Sequence, residues 1–184
     1  MDLSGIKKYE DSAKNALWNY VAGYTVTDIN KLLRSNRRPI ALTDACSLID
    51  ANMKPLDSII VYRTVDWDYM LEIYNITKKN LKSCTGYEFV SLGYTSTTKT
   101  RQNVWSSIWT KDELLLEIHV KRNTKGVYIN DIFKKNEIDC YEQDEVLLQR
   151  NLHFVIVDFS LMSKDGKFQT RKPKEIYCLK IQII

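Results

Sequence analysis

The sequence is poor in the residues that bind metals and staple small folds. It has two histidines, His119 and His153, and four cysteines, Cys46, Cys84, Cys140 and Cys178, with no Cys-x-x-Cys spacing. That set is too thin for a structural zinc site and too sparse for a disulfide scaffold, so free thiols and a reducing working environment are expected. No apolar run approaches the length of a membrane-spanning helix, and the opening residues MDLSGIKKYEDSAKN carry no apolar signal-peptide core. Proline (3) and glycine (6) are scarce, and no repeat, low-complexity stretch or linker interrupts the chain. Charge of one sign is also lacking. The net charge is only +4, and its basic residues are scattered, which excludes the concentrated stripe of a nucleic-acid binder. The exception is Arg34, Arg37 and Arg38, which read either as a solvated helix end or as a phosphate site.

What is present points to one folded domain spanning residues 1–184. Eleven Tyr, five Phe and four Trp favour a β-rich core. The first third has helical periodicity. Ile6, Tyr9, Ala13, Leu17 and Tyr20 predict one helix capped by Ser4, and Thr27-Asp28 opens a second that ends near Ser35-Asn36. Thr43 to Asn52 predicts a third, with Thr43 as its cap and Ala45, Leu48 and Ile49 facing inward. Strands are expected over 58–63, 88–95, 113–120, 126–130, 145–149, 153–159 and 175–184, with hairpin-type turns at Asn-Thr-Lys-Gly (123–126) and Lys-Asp-Gly (164–166). Two helical stretches are inserted, near 67–81 and 102–109. Helices first and strands after predict an α+β domain.

Three short motifs stand in order in the strand-rich part: Val61-Tyr62-Arg63, Gly93-Tyr94-Thr95-Ser96-Thr97-Thr98, and Tyr141-Glu142-Gln143-Asp144-Glu145-Val146-Leu147-Leu148. Each alone has an ordinary reading as a surface arginine, a β-prone run or a strand entering the core. Together they resemble the Arg–Ser–Glu class of mono-ADP-ribosyltransferases, which includes the clostridial Rho-modifying exoenzymes and the enzyme components of actin-modifying binary toxins. The family pattern is aromatic-Arg, a Ser-Thr-Ser strand, and Glu or Gln, any residue, Glu before an apolar strand. Here the second motif departs at its last position, Thr98. Upstream, Asn30 and Arg34 resemble the helix that lends Asn and Arg to NAD⁺ phosphates in the exoenzymes, so the likeness covers roughly residues 25 to 160.

The resemblance implies an α+β ADP-ribosyltransferase fold of two packed antiparallel-rich sheets with N-terminal helices, and NAD⁺, the substrate, in the cleft between the sheets. Arg63 and Arg34 are the candidates for the pyrophosphate, which a guanidinium grips with two parallel hydrogen bonds. Ser96 would orient Glu145, and Thr97 would fix the site locally or simply pack its strand. Glu145 would stabilise the positive charge that develops on the ribose as nicotinamide leaves, a transition state like that of glycoside cleavage. The leaving group is already cationic, so no general acid is required. Trp109 and Lys111 are the nearest matches to the family's phosphate–nicotinamide loop. Arg101 and Trp105 compete for those roles, and the two Trp also fit a core-facing helical pair.

Gln143 lies two residues before Glu145, and in an extended segment both would face one cleft while Glu142 points away. In the family, Glu at that position accompanies arginine acceptors and Gln accompanies asparagine acceptors. An amide pairs with an amide, whereas a carboxylate pairs better with guanidinium. The resemblance thus implies transfer of ADP-ribose from NAD⁺ to an amide side chain of a target protein, with a Rho-type small GTPase as the leading analogy. The alternatives are an NAD⁺ glycohydrolase without protein acceptor, an arginine-specific transferase, and an inactive binding domain of the same fold. A monomer acting in a cytosol after secretion or delivery is expected, with no nucleic-acid or membrane partner.

Overall fold

The structure is a computed structural model that describes residues 9–35, 39–104, 113–139, 141–162 and 176–184. Its contacts gather into two compact units, each assembled from three separate stretches of chain. One unit comprises Met1–Asp57, Ser91–Thr97 and Arg122–Leu152; the other comprises Ser58–Val90, Thr98–Lys121 and His153–Ile184.

The first unit opens with three helices, α1 (Ser12–Val21), α2 (Val26–Arg34) and α3 (Ile40–Asp50). Asp11, not Ser4, caps α1: its carboxylate accepts from the backbone N–H of Ala13 and Lys14. Ser4 and Ile6 lie outside the described residues. α2 is close to the expected span and buries Ile29, Asn30 and Leu33. α3 begins three residues earlier than its periodicity suggests. Pro39 takes the N-cap position with extended backbone, and the Thr43 carbonyl accepts from Ser47 Oγ inside the helix. The inward face is accordingly Leu42, Cys46 and Ile49, and Leu48 is partly exposed. Leu17, Tyr20, Ile29, Leu33, Ile49, Tyr94, Ile129, Phe133 and Leu147 form the core beneath these helices.

Four strands complete this unit in the spatial order β1 (Lys54–Pro55), β6 (Lys125–Tyr128), β7 (Glu145–Leu148), β4 (Thr95–Thr98). The antiparallel β6–β7 ladder pairs Gly126 with Leu148, Val127 with Leu147 and Tyr128 with Val146. The strand expected over 126–130 stops at Tyr128, because the chain turns into the short helix α5 (Ile129–Ile132). The turn before β6 carries Asn123 at φ 70, the left-handed conformation that Asn tolerates.

The second unit holds β2 (Ile59–Asp66), β5 (Glu113–Val120), β9 (Ile176–Ile183), β8 (Leu152–Met162) and β3 (Glu88–Ser91), adjacent in that order. β2 with β5 and β8 with β9 are antiparallel, and β5 with β9 is parallel. Val61, Leu114, Leu116, Ile118, Phe154 and Ile181 are buried here. The helix α4 (Trp67–Tyr74) is shorter than expected. Asn75 takes a left-handed C-cap at φ 55, and its N–H and that of Ile76 close the last turn on the Leu71 and Met70 carbonyls. The strand expected over 88–95 is broken after Ser91. Residues 101–104 are helical; the rest of the stretch expected near 102–109, and the turn at 164–166, lie outside the described residues.

Candidate active site

The second motif is anchored to α2 by one buried amide. Asn30 Nδ2 donates to the Tyr20 hydroxyl at 2.8 Å, and Asn30 Oδ1 accepts from the Tyr94 backbone N–H at 3.0 Å. The approach requires glycine at the preceding residue, since a Cβ on Gly93 would stand 2.5 Å from Asn30 Oδ1. The Tyr94 hydroxyl in turn donates to Asp50 Oδ1 at 2.7 Å, and Arg150 grips Asp50 Oδ2 at 2.9 Å from the far side. Burial first, and then the bond to Asp50, push the Tyr94 hydroxyl well above the usual tyrosine range, so it is a permanent donor. Gly93→Ala is expected to destabilise the protein by about 1–3 kcal/mol, because the blocking oxygen belongs to a side chain already held at both ends; the thermal unfolding midpoint measures it.

From this anchor the chain enters β4. Thr97 is buried, and its Oγ1 donates to the Val146 carbonyl at 2.7 Å, tying β4 to its neighbour β7. Ser96, half-buried, donates its hydroxyl proton to Glu145 Oε1. Glu145 is itself buried, at 8% exposure, at the first position of β7, whose other residues Val146, Leu147 and Leu148 are fully covered. A carboxylate in such a place needs donors, and the Ser96 hydroxyl is one.

The residues before Glu145 do not continue its strand. Tyr141–Gln143 form a single tight helical turn, and Asp144 is left-handed at φ 50. The extended geometry expected for Gln143 and Glu145 is therefore replaced by a turn, in which Gln143 is exposed while Glu145 is buried. Glu142 pairs with Lys135 at 2.6 Å on the surface, and that bond draws its carboxyl below the usual carboxylate range.

Arg34, exposed at the end of α2, donates from Nε to the Asn30 carbonyl at 2.9 Å. Arg63 belongs to the second unit. It is half-buried on β2 opposite Leu116, on the same face as buried Val61 and Val65. Arg101 lies in the helical turn at 101–104 of that unit. Trp105, Trp109 and Lys111 lie outside the described residues. Asn30, Ser96, Thr97 and Glu145 are thus joined by hydrogen bonds through α2, β4 and β7. In that support Asp50 and Arg150 carry no signal in the sequence, and Tyr20 shows there only as a helix residue. Their partners are 10 to 100 residues away along the chain, and no local pattern records such pairing.

The family model of the ADP-ribosyltransferase exoenzymes matches residues 4–173. The chain belongs to that family. It is an NAD⁺-dependent ADP-ribosyltransferase with the α+β fold of that family, and the family acts on protein targets. Among solved structures it is similar to Plx2a, an ADP-ribosyltransferase toxin from Paenibacillus larvae, at 17% identity and a TM-score of 0.73, covering 97% of this chain and 88% of that one. It is likewise similar to the enzymatic component C2-I of the C2 toxin from Clostridium botulinum, at 21% identity and a TM-score of 0.73. That match covers 97% of this chain but 44% of C2-I, so the exoenzyme spans less than half of that relative. C3stau2 from S. aureus, solved with NAD, matches at 19% identity and a TM-score of 0.68, covering 99% of this chain and 91% of that one. No sequence among curated proteins matches the chain. At these identities the structural likenesses speak for the fold.

Proposed function

We propose that this exoenzyme transfers ADP-ribose from NAD⁺ to an amide side chain of a target protein, an asparagine on a Rho-type small GTPase, with Glu145 as the catalytic carboxylate. The observation that carries the reading is the buried Glu145 carboxylate oriented by the Ser96 hydroxyl. A fixed, poorly solvated negative charge suits a reaction whose transition state gains positive charge on the ribose. The bond between nicotinamide and the ribose C1′ breaks, the electron pair leaves with nicotinamide, and the acceptor nitrogen forms the new bond to C1′ and gives up a proton to solvent water. Glu145 accepts from the ribose hydroxyl and opposes the developing charge. Ser96 holds Glu145, and Thr97 holds the backbone beside it. The family resemblance assigns Arg63 and Arg34 to the pyrophosphate, and Trp109 and Lys111 to the nicotinamide end. Asn30 serves chiefly by fixing Tyr94 and the strand that carries Ser96, since its amide already bonds Tyr20 and Tyr94. Gln143, exposed on the turn just outside Glu145, is the residue for the acceptor amide. On this reading the reaction takes place in a cytosol reached by secretion or delivery, a reducing environment that suits free cysteines such as Cys46, Cys84 and Cys178.

Incubation with labelled NAD⁺ and cell lysate, followed by mapping of the labelled residue, tests this reading. Labelled protein mapping to an amide on a small GTPase is expected; release of free ADP-ribose with no labelled protein would leave NAD⁺ hydrolysis as the activity. Arg63→Lys is expected to raise the NAD⁺ requirement about tenfold or more, since an ammonium cannot reproduce the planar two-pronged contact. Ser96→Ala is expected to be milder, because it loosens Glu145 without removing it. Calorimetric titration with NAD⁺ checks both, and unchanged affinity and rate in Arg63→Lys would return that arginine to a surface role.

A further inference from the structure

The β6–β7 ladder ends in a way that bears on how Gln143 and Glu145 are set against each other. Its last backbone pair is Tyr128 with Val146. Carried on, the same register would place Ile129 opposite Glu145 and Asn130 opposite Asp144, but by then the chain has turned into α5 and the ladder is over. At that position Asn130 Nδ2 donates to Asp144 Oδ1 at 3.1 Å, so a side-chain bond holds the register where backbone pairing has stopped. Among the described residues it is the hydrogen bond that holds these two side chains; Asn130 Oδ1 is buried and accepts none. The Asp144 carboxylate also decides which way the Asn130 amide points, because the reverse orientation would face oxygen with oxygen.

Asp144 is the residue at which the chain passes from exposed Gln143 to buried Glu145, and it makes that passage at φ 50. A non-glycine residue prefers other backbone conformations and stays left-handed when its surroundings hold it there; Asp and Asn are suited to this because a short polar side chain can be tied locally. We infer that Asn130 is a positioning residue. Through Asp144 it fixes the turn that holds Gln143 relative to Glu145, and so it sets how the enzyme divides NAD⁺ between the protein acceptor and water. The inference rests on the transferase reading, with Gln143 at the acceptor and Glu145 at the ribose. Glu145 is also held by β7 and Ser96, so loosening Asp144 frees Gln143 more than it frees Glu145.

The test is the ratio of protein-bound label to nicotinamide released, measured with labelled NAD⁺ and cell lysate, alongside nicotinamide release without lysate. Asn130→Ala is expected to lower the ratio about tenfold, while hydrolysis without lysate and the KM for NAD⁺ stay within about twofold of wild type. Adding Asp144→Gly to that variant is expected to recover part of the ratio, because glycine adopts a positive φ without strain although nothing tethers it there. Asp144→Asn in the otherwise wild-type chain keeps the ratio, since its amide oxygen accepts the same bond, whereas Asp144→Ala loses it. The Asn and Ala variants of Asp144 pose the same question should Asn130→Ala unfold. A wild-type ratio in Asn130→Ala or Asp144→Ala overturns the inference, as does a parallel fall of transfer and hydrolysis that glycine does not reverse. In those cases the transferase reading stands as long as wild type labels protein. If wild type releases nicotinamide but labels nothing, the transferase reading falls and takes the inference with it.

Discussion

Glu145→Gln is expected to abolish protein labelling and to slow nicotinamide release by about 10²–10³ while NAD⁺ still binds. Glutamine has nearly the shape of glutamate and keeps an oxygen to accept the Ser96 hydroxyl, so β7 and its ladder to β6 should survive. What disappears is the net negative charge. In the ground state the positive charge sits on the nicotinamide ring, and a carboxylate at the ribose hydroxyl gains less from it there than after it has moved onto the ribose. In the transition state the ribose carries much of a positive charge, and on the proposed reading the buried Glu145 carboxylate would meet it where water is largely excluded. The loss should therefore fall on turnover, with binding affected much less. Single-turnover nicotinamide release and calorimetric titration separate the two. Near-normal turnover would remove the whole Gln143-Asp144-Glu145 motif from the chemistry.

Gln143 is expected to divide the two outcomes of NAD⁺ cleavage. Gln143→Ala should lose protein transfer by about tenfold or more and leave NAD⁺ hydrolysis close to wild type, because the side chain lies exposed on the turn and outside the buried carboxylate. Gln143→Glu should weaken modification of the native target and confer some arginine transfer, since a carboxylate attracts a guanidinium and an amide does not. The linkage provides an independent check: neutral hydroxylamine releases ADP-ribose from arginine, and an asparagine linkage resists it. If the wild-type product is released and maps to arginine, the amide acceptor is wrong. Glu142, which the structure pairs with Lys135, is then the residue to test.

The sequence by itself determined the α+β class, the order of helices and strands, and the three motifs in line. These are properties of neighbours along the chain. A helix shows in residues three and four apart, a strand in alternate ones, and a strand-entering Glu in the apolar run behind it. That is why α2, β5 and β7 lie close to where their patterns place them. Periodicity yields where a single side chain or one left-handed residue outweighs it: Asp11 capping α1, Pro39 starting α3, Asn75 stopping α4 and Asp144 bending the chain before Glu145.

The tertiary structure decided which side chains meet. Asn30 closing on Gly93 and Tyr94, Ser96 on Glu145 and Asn130 on Asp144 join positions 14 to 64 residues apart. A hydrogen bond needs its partners within about 3 Å and aligned. Separation along the chain says nothing of that until β4, β6 and β7 are laid side by side. The resemblance could name Ser96 and Glu145 because their motifs are short and local. It could not show Asn30 holding the strand from below or Gln143 standing one turn outside the buried carboxylate. Those follow from packing, where the direction of each side chain is set by the backbone beneath it and by the neighbours that fill the remaining space.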